Sequence, residues 1–326
     1  MLPDLSLSRI LASVGAWRLP PAPAADPEAM HGMSDEPAGQ PVAGASTVSA
    51  PTGTARPDRD LSDALPDAVA VSALRRGYPQ ETVAALEATW PSLGAARHTL
   101  AEPLRPATAS GLGPLRWAGE PARQHDPTTC GSTVLAQLAA AGDPVLALWL
   151  ETGFHIGPVL SPELAAAQRV ARSITHRSDS RFVALQRVLK RRTGDSALLG
   201  LRWPDRLGTP PWGAARAARY ADVTYRHAVV DAASPARLAR AVAAVDAALR
   251  AGVPVPLFSG GTLRTGLATA VPRHVVLVTR ATASGWHVFE PSRGEVLPLR
   301  RDELEGSGPK PALGGWSVPA WVLLPR

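Results

Sequence analysis

The chain holds one cysteine, and the residues around it are those of a nucleophile's setting. Gln124-His125-Asp126-Pro127-Thr128-Thr129-Cys130-Gly131-Ser132 is a polar loop that runs into an apolar, alanine-rich stretch. Cys130 therefore falls at the N-terminus of an expected helix. There the positive end of the helix dipole and unpaired backbone N–H groups favour thiolate over thiol. Gly131 leaves room for close approach of backbone or substrate. The Cys130 N–H can point at a developing oxyanion. Gln124, six residues upstream, can return a side-chain amide N–H to the same place as a second donor. A free cysteine is also a common small core hydrophobe, so this stretch reads as chemistry only if a base comes near it.

The base is expected at His274. Pro272-Arg273-His274-Val275-Val276-Leu277-Val278 opens an apolar, β-branched run, so the ring projects from the end of a strand. An imidazole there can take the thiol proton, and the imidazolium then steadies the thiolate. Of the other histidines, His31 lies in a proline-rich stretch, and His98, His125, His155, His176 and His227 fall in loops or helix margins. His287, on a strand, is the reserve. The strand Trp286–Glu290 is expected to pair with Arg273–Ala281 through a turn at Thr282–Gly285. That hairpin carries Glu290, 16 residues after His274, to the open end beside it. A carboxylate in that place can accept the Nδ1–H of the ring and fix its tautomer. The bland alternative for Glu290 is an exposed strand-end acid paired with Arg293.

The elements that must position these groups are readable in outline. Helices are expected at about 61–76 and 79–90, the second with Val83, Leu86 and Trp90 on one face. Cys130–Ala141 reads as a helix stopped by Gly142. Asp143 then caps another that starts at Pro144. Further helices are expected from Ser161-Pro162 to about Ser173, over Ser178–Thr193 with Phe182, Leu185 and Leu189 as its stripe, from Thr209 to about Tyr220, and over Ser234–Ala251 with Ser234 as cap. Trp203, Trp212 and Tyr220 read as core anchors or as one wall of a groove. The last third changes to a period of two: Val253–Phe258, His274–Thr279, Trp286–Glu290, Glu295–Leu299 and Trp316–Leu324 are expected strands. Helices first and an antiparallel sheet afterwards give an α+β class, with the helices against one side of the sheet.

Composition bounds the partners. The 326 residues are 45% hydrophobic, enough for a real core. One cysteine excludes a disulfide framework and any Cys-rich metal site. No phosphate-binding G-x-x-x-x-G-K-[ST] loop, G-x-S-x-G elbow or H-E-x-x-H helix is present, so no cofactor or metal is expected. The net charge is +6 and the pI about 10.3. All basic residues but Lys190 and Lys310 are arginine, a bias that reads as high-GC codon usage. The arginines are scattered and not interleaved with aromatics, so nucleic acid is not the expected partner. No apolar run is long enough to span a membrane. Met1 to Trp17 lacks a signal-peptide layout, so the expected compartment is the cytoplasm, with non-Sec export left open. Residues 1–18 are read as a short amphipathic helix and 19–60 as a disordered Pro/Ala-rich linker; the two together could recruit a protein partner. Residues 61–113 are read as a helical N-terminal region and 114–326 as the chemical domain.

Q-x5-C-G at a helix start, then H-V-V-L-V, then a strand ending in acid-Pro-x-x-Gly, resembles the papain-like cysteine peptidase superfamily. The nearest type is that of the bacteriocin-processing, double-glycine-leader peptidases and their stand-alone relatives. The resemblance covers about residues 114–326. It implies a papain-like α+β fold, a peptide or protein substrate, Cys130 as nucleophile, His274 as general base and acid, Gln124 as oxyanion donor and Glu290 as the orienting acid. The family usually carries Asp or Asn where Glu290 stands, one methylene shorter. Two other readings stay open. The same thiol could serve an acyltransferase, transglutaminase or deamidase, or the fold could be a binding module in which Cys130 is merely packed.

Overall fold

A computed structural model of the chain describes residues 64–173, 181–195, 197, 200–260, 274–306 and 308–326. The helix expected at 1–18 and the linker at 19–60 lie outside the described residues. The architecture is mixed helix and antiparallel sheet, which is the α+β class.

Eight strands form the main sheet: β1 (Gly113–Pro114), β4 (Arg219–Tyr220), β5 (Val223–Val229), β6 (Val255–Gly260), β7 (His274–Thr282), β8 (Gly285–Glu290), β9 (Glu295–Arg300) and β10 (Val318–Pro325). Their order across the sheet is β1-β9-β8-β7-β6-β10-β5-β4. A separate ribbon joins β2 (Arg116–Trp117) to β3 (Glu120–Pro121). Side chains alternate between the faces. Val275, Leu277, Phe289 and Val296 enter one apolar cluster, while Val276, Val278, Val288 and Leu299 enter another.

The first cluster is filled by a helical layer: α1 (Asp67–Arg76), α2 (Gln80–Thr89), α3 (Ala96–Ala101), α4 (Cys130–Ala141), α5 (Pro144–Thr152), α6 (Pro162–Ser173), α7 (Arg181–Gly194) and α8 (Pro211–Ala217). The second cluster is covered by α9 (Pro235–Arg250), through Leu238, Ala241, Val245 and Ala248. The expectation of helices on one side is therefore corrected. The apolar stripe of α9, at spacings of three and four, closes the opposite face. A last short helix, α10 (Arg301–Glu305), follows β9.

Helix α4 is mostly apolar and every residue from Cys130 to Ala140 is buried, with the Ser132, Thr133 and Gln137 side chains hydrogen-bonded inside. It ends where a side chain has no room: a Cβ on Gly142 would lie 2.1 Å from the Ala221 nitrogen. Asp143 accepts from the Leu146 N–H at 2.9 Å and caps α5. Among the described residues no single helix is long and apolar enough to cross a membrane; α4 and α5 together are bent by 111°.

The N-terminal helices join the same core. Ala73, Leu86, Trp90 and Leu100 belong to the cluster around α4. Tyr78 Oη donates to Asp143 Oδ1 at 3.0 Å. Arg76 reaches both Asp143 and Glu163, and Arg192 closes on Glu163 at 2.6 Å.

Three local expectations are corrected. The helix from Thr209 stops at Ala217, and Arg219–Tyr220 turns into strand. Val223–Val229 is a strand that places His227 in the sheet rather than in a loop. Ser234 makes no side-chain cap; α9 starts on Pro235, whose fixed φ suits a first helical position.

Candidate active site

Cys130 is the first residue of α4, and Thr129 before it offers no side-chain cap. Thr129 is committed to its own loop: its hydroxyl donates to Asp126 O at 2.8 Å and accepts from Asp126 N at 3.0 Å. Among the described residues no turn or loop hydrogen bond consumes the Cys130 N–H. The helix therefore begins with an unspent donor beside a thiol that is 3% exposed. Gly131 is required for packing. A Cβ there would lie 2.5 Å from Thr209 Cβ, so what comes close is this side chain.

Cys130 stands close enough to the His274 imidazole to raise its pKa, and the ring Nε2 lies 2.7 Å from Glu290 Oε1. The expected use of Nδ1 by the carboxylate is corrected. Glu290 takes Nε2, and Nδ1 is the nitrogen left for the thiol. The hairpin sets this up, with β7 and β8 paired so that Leu277 faces Phe289. The extra methylene of glutamate lets the carboxylate span the diagonal from Glu290 to His274. Glu290 is 1% exposed, so it is not an exposed acid paired with the Arg293 guanidinium. Oε1 also accepts from Ser292 N at 2.9 Å and Ser292 Oγ at 2.8 Å, and Oε2 accepts from Arg293 N at 3.0 Å.

These contacts set the charge states. Burial opposes the imidazolium, but hydrogen bonds and negative charge from Cys130 and Glu290 outweigh it and raise His274 to about 9. Burial likewise opposes the Glu290 carboxylate, yet His274 and the Ser292 donors hold it below the ordinary glutamate value.

The loop before Cys130 is clamped from two directions. From α7, Gln186 accepts His125 N at 3.1 Å and donates to Arg123 O at 3.0 Å. One turn further on, Lys190 Nζ donates to Thr128 O at 2.5 Å and to Asp205 O at 3.1 Å. Burial lowers the Lys190 pKa, while Asp126, Asp205 and Cys130 pull it back up, so its charge faces the thiol. From the β8–β9 turn, Pro291 O accepts Gln124 N at 2.7 Å, and Ser292 Oγ reaches Gln124 Oε1 at 3.4 Å. The Gln124 amide gives one N–H to Asp126 O at 3.1 Å and keeps a second.

Behind the imidazole runs the turn of residues 310–317. Gly314 has φ +68°, and a Cβ there would lie 2.3 Å from His274 Cδ2. Lys310 holds this turn by donating to Gly306 O, Gly308 O and Ser317 O. Ser259 Oγ donates to Leu313 O at 2.9 Å.

The structure thus brings Cys130, His274 and Glu290 into one contact chain and puts Gln124 on the adjoining loop. His287 lies elsewhere on β8. Trp203 and Trp212 meet edge to face at 5.4 Å, but Tyr220 sits on β4 beside a different cavity. Lys190, Gln186, Ser292 and Gly314 were not singled out from sequence. Ser292 alone had a local signal, a hydroxyl two residues after an acid in a turn. Among the described residues no group of three His, Cys, Asp or Glu could hold a metal ion. Comparison with protein-family models, curated proteins and solved structures found no match.

Proposed function

We propose that the chain is a papain-like thiol hydrolase, a cysteine peptidase. The observation that supports this reading most is the buried pair in which Glu290 holds Nε2 of an imidazole whose pKa both Cys130 and Glu290 raise. In the proposed cycle the Cys130 proton passes to Nδ1 of His274. Sγ then attacks the substrate carbonyl carbon. The oxyanion is met by the Cys130 N–H and the second amide N–H of Gln124. His274 returns its proton to the leaving amine, and a thioester on Cys130 remains. Water, giving a proton to His274, attacks that thioester, and the free acid and thiol are restored. Lys190 adds a positive charge facing the thiolate and fixes the loop that carries both donors.

The test is hydrolysis of an unfolded protein substrate by wild type and Cys130→Ala, read by product mass. Cleavage with addition of water that disappears in Cys130→Ala supports the proposal. Cleavage that survives the substitution, or product formed only when an amine acceptor is supplied, overturns it. A second readout is alkylation by iodoacetamide across pH. Labelling of Cys130 that slows in His274→Ala is expected where the imidazole takes the thiol proton.

A further inference from the structure

At the far end of α4 from Cys130, roughly 15 Å away at 1.5 Å per residue, lies a cavity of about 230 Å³. One wall is apolar and includes Val69, Leu100, Ala140 and Pro144. The other carries basic side chains, of which Arg280 is exposed to solvent. Arg280 and His287 are direct cross-strand partners on β7 and β8, and Arg105 joins them.

This pairing depends on an irregularity in the sheet. The β7–β8 register slips between Val278 and Arg280. Val278 belongs to the cluster under α9, and regular alternation would send Arg280 to that same side. The bulge turns it over, so Arg280 stands beside His287 in the cavity on the opposite face. Bulges re-aim side chains in this way next to functional sites. Among the described residues neither the Arg280 guanidinium nor the His287 ring has a hydrogen-bond or ion-pair partner. Arg105 is shared with Glu102 at 3.1 Å. A guanidinium without an acid partner beside an imidazole that can take up a proton, over an apolar floor, is an arrangement that an anion would complete.

We propose that this cavity binds a small organic anion, with a carboxylate or phosphate head between Arg280 and His287 and a short apolar body against Leu100 and Ala140. The site is independent of the chemistry at Cys130. Burial, and then Arg280 and Arg105, push the His287 pKa down. A bound anion offsets that repulsion and raises it, with Glu102 the one acid in the same cavity.

The experiment is isothermal titration of the full chain with hexanoate, phenyl phosphate, inorganic phosphate and neutral hexanamide, in wild type, Arg280→Gln and Cys130→Ala. Expected are saturable one-site binding of hexanoate or phenyl phosphate, at least tenfold weaker binding of hexanamide, and at least tenfold loss in Arg280→Gln. Cys130→Ala should bind as wild type does. The stronger of the two organic ligands tells carboxylate from phosphate. In parallel, the His287 ring resonances should titrate at higher pH once the site is saturated. The proposal is overturned if neither organic anion saturates, if hexanamide or inorganic phosphate binds as tightly, if Arg280→Gln binds unchanged, or if the His287 titration does not move.

Discussion

A histidine buried between a thiol and a carboxylate titrates as part of a unit, and its neighbours decide its proton. Four donors converge on the Glu290 carboxylate, one of them the His274 ring, so the acid stays ionised and the ring stays charged to about 9. Replacing Glu290 with Gln removes that charge and keeps the shape. On the proposed mechanism, in which His274 gives its proton to the leaving amine, the basic limb of kcat/KM is expected near 9 in wild type and at lower pH in Glu290→Gln. A pH–rate profile of both proteins checks this. Stability follows with a defined sign. His274 is raised above its ordinary 6.5, so its contribution is complete below 6.5 and lost as pH rises through about 9. Glu290 is lowered below 4.5, so its contribution is present above 4.5 and lost as pH falls through its folded value. The unfolding free energy difference between wild type and Glu290→Gln should therefore be largest between pH 4.5 and 6.5 and shrink above 9, as urea titrations at several pH values would show. At this scale the sequence was informative where chemistry and local pattern coincide. Cys130 stands at a helix start, and a hairpin of readable length joins His274 to Glu290. Lys190 was opaque, because its contact with Thr128 joins residues 62 apart and is made by the packing of α7, not by spacing.

Elements were legible in proportion to how much their own residues determine them. The α4–α5 corner is written locally in Gly142, Asp143 and Pro144. Asp143 does more than cap, since it also receives the Tyr78 hydroxyl and lies 3.5 Å from the Arg76 Nε. Asp143→Ala should cost roughly 2–4 kcal/mol, a cap plus a stranded buried hydroxyl, measurable by thermal or denaturant unfolding. Strand β5 was not legible. Val-Thr-Tyr-Arg-His-Ala-Val carries three polar residues, and its place next to the short strand β4 is set by its pairing with β10, not by apolar content. The 310–317 turn was equally hidden, although it braces the imidazole. Gly314→Ala combines a left-handed backbone, about 1 kcal/mol against an L side chain, with a methyl driven into the His274 ring. On the proposed mechanism hydrolysis should be largely lost while the chain stays folded by circular dichroism, and Cys130 alkylation should slow.

On the scale of the whole molecule, the helices of residues 67–101 and the segment from 114 onward share one apolar core. Trp90 and Leu86 are 2% and 0% exposed within it. Unfolding of the described body should be a single transition by circular dichroism and tryptophan fluorescence. Trp90→Ala should cost about 3–5 kcal/mol, and a chain started at residue 114 should lose the cooperative melt altogether. The same view gives the two lysines an unexpected weight. In a chain that otherwise uses arginine for every basic charge, both ε-amines hold backbone carbonyls, one in the loop before Cys130 and one in the turn behind His274. Three rotatable donors on a compact head let one nitrogen gather several carbonyls. Amine-directed reagents such as succinimidyl esters, aldehydes and isothiocyanates would then find almost no lysine on the outer surface. Where they react at an ε-amine, they act on the loop before Cys130 or the turn behind His274. Immobilisation or dye labelling through lysine should therefore disturb the surroundings of Cys130 and His274, and handles for such work belong on introduced surface residues instead.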